Sequence, residues 1–200
     1  MLKFHKFISV IFHPVVLPTI GVFLFLSLTP NVIIKERQYL LLSIVFFSTY
    51  IVPIILLVIL KFLGVIKNFQ VETINERKVP LFLMLLVFYA LGWVLIKIPA
   101  FKDLGILFYG INLALVVTYI LFFFNIKTSL HIMSMSSALG FFLIYGALNS
   151  ISILPIAIII IVLTGLLASS RLYLKAHKPL EIYVGFFLGI MTQCLGYLLL

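Results

Sequence analysis

Long apolar runs separated by short polar segments dominate the pattern along this chain. A run of about 20 apolar residues can cross the roughly 30 Å of bilayer hydrocarbon as a helix. Seven runs qualify, and they cover residues 8–28, 39–64, 79–98, 105–124, 131–149, 151–169 and 181–200. The runs lack the alternation of barrel strands, so their backbone polar groups must bond within each segment. The pattern therefore predicts an all-α fold, a polytopic transmembrane helix bundle of about six to seven spans, in a single membrane-embedded domain over residues 1–200.

The first run follows a basic start, MLKFHKF, and in this respect it is similar to a signal peptide. It continues to Leu28, however, and has no small-x-small cleavage signal. We therefore expect a retained first span, in which His13-Pro14 and Pro18 kink the helix.

Composition narrows the class of protein. Hydrophobic residues make up 64% of the chain and charged residues only 10%, which excludes a soluble domain. The formal charge of +9 comes from cations that lie mostly between the apolar runs, as at a membrane interface rather than a nucleic-acid surface. Cys194 is the only cysteine, which excludes a disulfide or a cysteine metal cluster within one chain. The expected partner is the lipid bilayer and not nucleic acid, and the oligomeric state stays open.

Three polar loops fall on one membrane face if the chain has seven spans, because they follow spans two, four and six. These motif loops cover about residues 65–80, 125–131 and 169–181. Their polar residues include Arg77, Lys78, Lys127, Ser129, His131, Ser170, Arg171, His177 and Glu181. One composite site on that face is the economical interpretation. The positive-inside rule would make the face cytoplasmic, but cations that bind phosphate do not report topology, so its side stays open.

The third loop carries the strongest local chemistry. If a helix begins near Pro179, the i,i+4 spacing puts His177 and Glu181 on one face. A carboxylate in that position holds an imidazole in one tautomer. Arg171 offers a planar fork of donors suited to phosphate. This loop predicts an anion site with a nucleophile or base.

The second loop, KTSLHIMSMSS, places Ser129 and His131 at the start of span five, just after Lys127. Free amide groups at a helix N-terminus attract anions, and His131 could give a proton to a leaving oxygen. The alternative is that His131 is an interfacial residue bonded to a carbonyl group. Small residues at Ser134, Ser136, Ser137, Ala138 and Gly140 predict close helix packing along span five.

Together these loops resemble the type 2 phosphatidic acid phosphatase superfamily, the membrane lipid phosphatases related to vanadium haloperoxidases. The family's third motif, SR-x5-H-x3-D, is matched here by Ser170, Arg171, His177 and Glu181. Its second motif, PSGH, is matched loosely by TSLH, with Ser129 and His131. The resemblance covers the chain from about Lys127 to the C-terminus.

Three departures distinguish this chain from the family pattern. Glutamate replaces aspartate at Glu181, and Leu130 replaces a glycine. The first motif, K-x6-RP, is reduced to Arg77 with Pro80 three residues later, and the lysine position is Gln70. Lys67, Lys78 or Lys127 would have to supply the missing cation.

The resemblance implies a metal-free mechanism without cofactor. In it, His177 attacks phosphorus to form a phosphohistidine, Glu181 orients that ring, and His131 protonates the leaving oxygen and then activates water. The residues that it implies for binding the substrate phosphate are Arg171, Ser129 and Arg77, joined by Lys127 and Ser170. A mononuclear zinc site built from His131, His177 and Glu181 is an alternative.

The resemblance also implies the reaction, hydrolysis of a lipid phosphate monoester or diphosphate. Phosphatidic acid, phosphatidylglycerophosphate and undecaprenyl diphosphate are the candidate substrates, and the bacterial inner (cytoplasmic) membrane is the expected location. One alternative is a catalytically silent relative that binds anionic lipid head groups or transports a small anion. Another is an intramembrane serine protease that uses Ser129 or Ser134 with His177.

Overall fold

The computed structural model describes residues 1–29, 33–69, 71 and 73–200, and in these residues helices are joined by short turns, with no strand. The α-helices are α1 (Leu2–Ile11), α2 (Leu17–Leu28), α3 (Lys35–Phe46), α4 (Val52–Phe62), α5 (Ile74–Ile96), α6 (Lys102–Phe123), α7 (Leu130–Asn149), α8 (Leu154–Tyr173) and α9 (Pro179–Leu199). A π-helical turn at Phe47–Ile51 joins α3 and α4, and a short 3-10 turn at Pro99–Phe101 leads into α6. The position of Gln70, where the family pattern has lysine, lies outside the described residues.

Six helices are long and apolar enough to cross a membrane: the continuous helix Lys35–Phe62, Ile74–Ile96, Pro99–Phe123, and α7, α8 and α9. They correspond to the second to seventh predicted runs, so the prediction of an all-α polytopic bundle is confirmed. Most of these helices begin before the apolar run does. The reason is that the first turns carry polar residues, such as Lys35 in α3 and Arg77 in α5.

The prediction of a single first span over residues 8–28 is wrong. Helix α1 ends at Ile11 and α2 begins at Leu17. Pro14 has no N–H to donate to the preceding turn, and its ring clashes with a continuing helix. The second proline, Pro18, lies in the first turn of α2, where its missing N–H costs nothing. The 12 residues of α2 extend about 18 Å, well short of the hydrocarbon thickness.

Helix α7 is the centre of the bundle, since 67% of its most apolar stretch is buried, against 17% to 44% for the other long helices. Its most extensive packing is against α9. Glycines let the two backbones approach closely. A Cβ built on Gly185 would lie 2.8 Å from the carbonyl oxygen of Ser129, and one on Gly189 would lie 2.5 Å from that of Met133. The predicted small-residue face of span five thus takes part in helix packing.

One end of the bundle gathers the polar motif residues. Helices α5, α7 and α9 begin there, and α8 ends there. The N-terminal helix α1 packs on α8, and α2 packs on α3 and α7. The turn between α1 and α2 lies at the same end, because the ring of His13 contacts the ring of His131 in the first turn of α7, with centroids 5.1 Å apart.

Candidate functional site

A cavity of about 240 Å³ lies at this end of the bundle. Its charged and titratable lining residues come from five separate segments: His13, Arg77, His131, Arg171 and His177. Most of the remaining wall is apolar and includes Gly21, Leu81, Phe88, Leu107, Ile111, Leu115 and Ala138.

The apolar wall reaches deeper into the bundle than the polar cluster. Along α7, Ala138 is seven residues beyond His131, a distance of about 10 Å at 1.5 Å per residue. Along α5, Phe88 is eleven residues beyond Arg77, or about 16 Å. The cavity therefore joins a cationic, histidine-lined end to an apolar interior, which is the shape that an amphiphile requires.

His177 and Glu181 make the contact that their spacing predicts. Helix α9 begins at Pro179, and Nδ1 of His177 lies 2.6 Å from Oε2 of Glu181. The carboxylate can only accept, so Nδ1 donates and the lone pair of the neutral ring is on Nε2. The side chain of His177 is 1% exposed and that of Glu181 17% exposed. A buried hydrogen bond to a carboxylate fixes the tautomer and the orientation of an imidazole.

Electrostatics keep the His177 ring neutral near pH 7. The pKa of His177 is lowered from its ordinary value of 6.5 to about 4, chiefly by burial and also by the charges of Arg171, Arg77 and Lys127. The hydrogen bond to Glu181 raises the pKa of His177 but does not outweigh burial and the three cations. A neutral imidazole with its lone pair on Nε2 is the form that attacks an electrophile.

Arg171 is held by the N-terminal helix. Its Nη1 donates a 2.6 Å hydrogen bond to Oγ of Ser9 in α1. Its Nε is buried and, among the described residues, has no hydrogen-bond partner. An unsatisfied guanidinium N–H beside a cavity is costly without an acceptor. An anion in the cavity would satisfy it.

Arg77 is oriented by the backbone just before α5. Its Nε donates a 2.8 Å hydrogen bond to the carbonyl oxygen of Val71. Val71 has a φ of 46°, in the left-handed region that β-branched residues rarely adopt. Helix α5 itself starts with a capping box between Thr73 and Glu76. This local structure directs Arg77 toward the cavity that Arg171 also lines.

His131 lines the cavity and also makes a hydrogen bond to the N-terminal helix. Its Nε2 lies 3.2 Å from the carbonyl oxygen of Ser9 and must donate to it. The hydrogen bond to a carbonyl group that the alternative interpretation of His131 predicted is therefore present. In the neutral ring this bond leaves the lone pair on Nδ1. Ser9 thus contacts two cavity residues, His131 through its carbonyl and Arg171 through its hydroxyl.

Two predicted phosphate-binding serines are not among the cavity residues. Ser170 is fully buried, and its hydroxyl bonds Nδ1 of His5 at 3.0 Å and the carbonyl of Leu166 at 2.9 Å. Ser129 is also fully buried, and its Oγ has no hydrogen-bond partner in the described part of the chain. The amide of Ser129 donates to the carbonyl of Glu181, so it is not free for an anion. Their role in binding phosphate stays a prediction.

The three lysines that could supply the cation absent from the first motif differ in what they contact. Lys127 donates from Nζ to the carbonyl oxygen of Ala176 at 3.4 Å, directly beside His177. Lys67 is exposed and bonds Glu76 through its backbone amide, and Nζ of Lys78 lies 5.8 Å from the ring of Phe123. Of these three lysines, Lys127 is the one whose charge lowers the pKa of His177.

The zinc alternative lacks a ligand set. Within the described ranges, no three His, Cys, Asp or Glu side chains converge as metal ligands. The group of His131, His177 and Glu181 is therefore not arranged as a mononuclear zinc site in this structure.

Sequence reasoning missed the N-terminal segment as part of the site. It treated His13 as a helix kink and gave Ser9 no role, yet His13 lines the cavity and Ser9 bonds two of its residues. The histidine beside two prolines in an apolar run was the available signal for His13. Nothing in the sequence links Ser9 to a residue 162 positions away.

No protein-family model, no curated protein and no solved structure matches this chain.

Proposed function

We propose that this protein is an integral membrane lipid phosphatase that hydrolyses a lipid phosphate monoester or diphosphate through a phosphohistidine at His177. The observation that carries the proposal is the buried His177–Glu181 pair, with two arginines on the same cavity and an apolar wall beyond them. This combination provides a nucleophile, cationic donors for phosphate and room for a lipid chain. The resemblance to the type 2 phosphatidic acid phosphatases supports the same assignment from the motif spacing.

In the proposed first step, the Nε2 lone pair of His177 attacks phosphorus and the bond from phosphorus to the lipid oxygen breaks. Arg171 and Arg77 hold the phosphoryl oxygens, where negative charge accumulates in the transition state. Glu181 stabilises the positive charge that develops on the imidazole. The leaving oxygen takes a proton, and in the second step water hydrolyses the phosphohistidine and releases phosphate.

The substrate would enter with its head group among the cations and its chain along the apolar wall. Phosphatidic acid, phosphatidylglycerophosphate and undecaprenyl diphosphate all have this form. Substrate choice would then depend on the helices around the cavity, since the described loops are short.

The test is phosphate release by the purified protein in detergent, in the presence of EDTA, from each of these three lipids. We expect release from at least one lipid, none from His177→Ala, and an acid-labile phosphoryl label on the wild type alone. His5→Gln is the matched control, because His5 bonds Ser170 outside the cavity. Binding of the lipids without turnover, retained in His177→Ala, would instead establish the silent head-group binder, which the unsatisfied Nε of Arg171 also suits.

A further inference from the structure

We propose that His13 is a catalytic residue of this site, the acid that protonates the leaving lipid oxygen, in place of His131. This inference rests on the proposed phosphatase function and concerns the proton that the reaction must supply. An alkoxide is a poor leaving group, so a positioned proton donor contributes about 10²–10⁴-fold to its departure.

The hydrogen bonding of the two histidines differs. Nε2 of His131 donates to the carbonyl of Ser9, and only 9% of the residue is exposed. His13, in contrast, is exposed and lines the cavity. Among the described residues, its side chain makes one hydrogen bond, a long one of 3.4 Å that Nδ1 accepts from the amide of Val15. Nε2 of His13 is therefore the imidazole nitrogen that is available to a ligand.

The position of His13 along the chain also fits the leaving oxygen. That oxygen is the atom that joins the phosphoryl group to the lipid chain, so its donor should lie where polar and apolar walls meet. His13 contacts His131 on one side. The residues that follow it, Pro14, Val15, Leu17, Pro18 and Gly21, all line the same cavity. His13 thus lies at the junction of the two walls.

The local backbone makes this placement stable. The helix breaks at Pro14, and the carbonyl of His13 accepts hydrogen bonds from the amides of Val16 at 2.8 Å and Leu17 at 3.3 Å. The main chain of His13 therefore provides the acceptor for the first amide of α2, that of Leu17. Its side chain is then held at the cavity by a defined turn.

With phosphate bound, the His13 ring is protonated on both nitrogens, so Nδ1 no longer accepts from the amide of Val15. Nε2 gives its proton to the lipid oxygen as the P–O bond breaks and the P–N bond to His177 forms. The neutral Nε2 then accepts a proton from the water that attacks phosphorus. The P–N bond breaks, phosphate leaves, and both rings return to their starting forms.

The experiment compares two substrates with the same chain and different leaving groups, dodecyl phosphate and a dodecyl-substituted nitrophenyl phosphate. The nitrophenolate departs without a proton. For His13→Gln we expect a fall in kcat/KM of about 100-fold or more on the alkyl substrate and less than about tenfold on the aryl substrate. His131→Gln should reduce both substrates by similar factors, and His177→Ala should abolish both.

The outcomes separate this inference from the function on which it rests. Turnover of neither substrate by the wild type would reject the phosphatase itself. Equal losses on both substrates in His13→Gln, or a loss confined to the alkyl substrate in His131→Gln instead, would overturn the role of His13 while the phosphatase stands. Retained aryl turnover also shows that His13→Gln is folded, and a phosphohistidine trapped from the aryl substrate provides a second check.

Discussion

The amide of Ser129 donates a 3.1 Å hydrogen bond to the carbonyl oxygen of Glu181. This bond joins the N-terminus of α7 to the first turn of α9, so two segments that are far apart in the sequence are held side by side. Close approach of the helices makes the bond possible, because Gly185 leaves room for the carbonyl of Ser129. The geometry of the His177–Glu181 pair therefore depends on the packing of α7 against α9.

Gly185→Ala should reduce both turnover and thermal stability. Its new Cβ would lie 2.8 Å from the carbonyl oxygen of Ser129, a backbone atom that cannot move aside cheaply. The helices must separate, and a shift of overpacked elements costs about 1–3 kcal/mol. The measurements are the melting temperature in detergent and kcat on the substrate identified for the wild type.

Gly165→Ala is the matched control for this change. Gly165 lies inside α8, and an added Cβ there meets nothing within 4 Å. Alanine should leave turnover unchanged and raise helix stability by at most about 1 kcal/mol. Equal effects of the two substitutions would contradict the packing argument.

Glu181→Gln should lower kcat by roughly 10²-fold or more, because the amide can still accept from Nδ1 of His177 but cannot balance the positive charge that the proposed phosphohistidine step places on the ring. Glu181→Asp, which introduces the carboxylate found in the motif that this segment resembles, should retain most of the activity if the backbone adjusts to the shorter side chain. The kinetic readout is kcat, since Glu181 is not among the residues that line the cavity. A loss seen only in KM would show that Glu181 acts in substrate binding instead.

Local spacing accounts for what the sequence could predict about the site. Helical periodicity with Pro179 as a start was sufficient for the contact of His177 with Glu181. Long apolar runs were sufficient for six spanning helices. Both inferences use interactions between residues that are close in the chain, and these follow directly from residue type.

The remainder of the site depends on tertiary contacts that no local pattern encodes. The first run contains enough apolar residues for a span, but Pro14 divides it and brings α1 onto α8. Only that docking places Ser9 between Arg171 and His131. In the same way, Ser170 belongs to a matched motif, yet its hydroxyl faces His5 of α1.

Acid should destabilise the protein through His177. Its pKa is lowered to about 4 in the folded protein, chiefly by burial, and returns to about 6.5 when the chain unfolds. The unfolded state therefore binds more protons between these values, and stability falls as the pH decreases through that window. The groups that act on the ring are Glu181, Arg171, Arg77 and Lys127. Melting temperatures from pH 7 to pH 4 measure the effect.

His177→Asn removes the titrating ring and supplies the comparison. Its melting temperature should depend less steeply on pH over the same window than that of the wild type. Direct titration of the imidazole by NMR provides an independent measurement. A native pKa at or above 6.5 would contradict the dominance of burial and the three cations over the hydrogen bond to Glu181.

Gly21→Leu should impair long-chain substrates selectively, because it fills the apolar part of the cavity. Gly21 lines the cavity in α2, and an added Cβ meets nothing within 4 Å, so a larger side chain extends into open space without a clash. The occupied volume is then lost to the lipid chain, and each excluded methylene forfeits about 0.8 kcal/mol of burial. KM should therefore rise at least tenfold for a long-chain lipid phosphate and little for a short-chain phosphate ester. Gly165→Leu is the control, since Gly165 has equal space but does not line the cavity. If Gly21→Leu changed KM equally for long and short chains, the lipid chain would not occupy this wall.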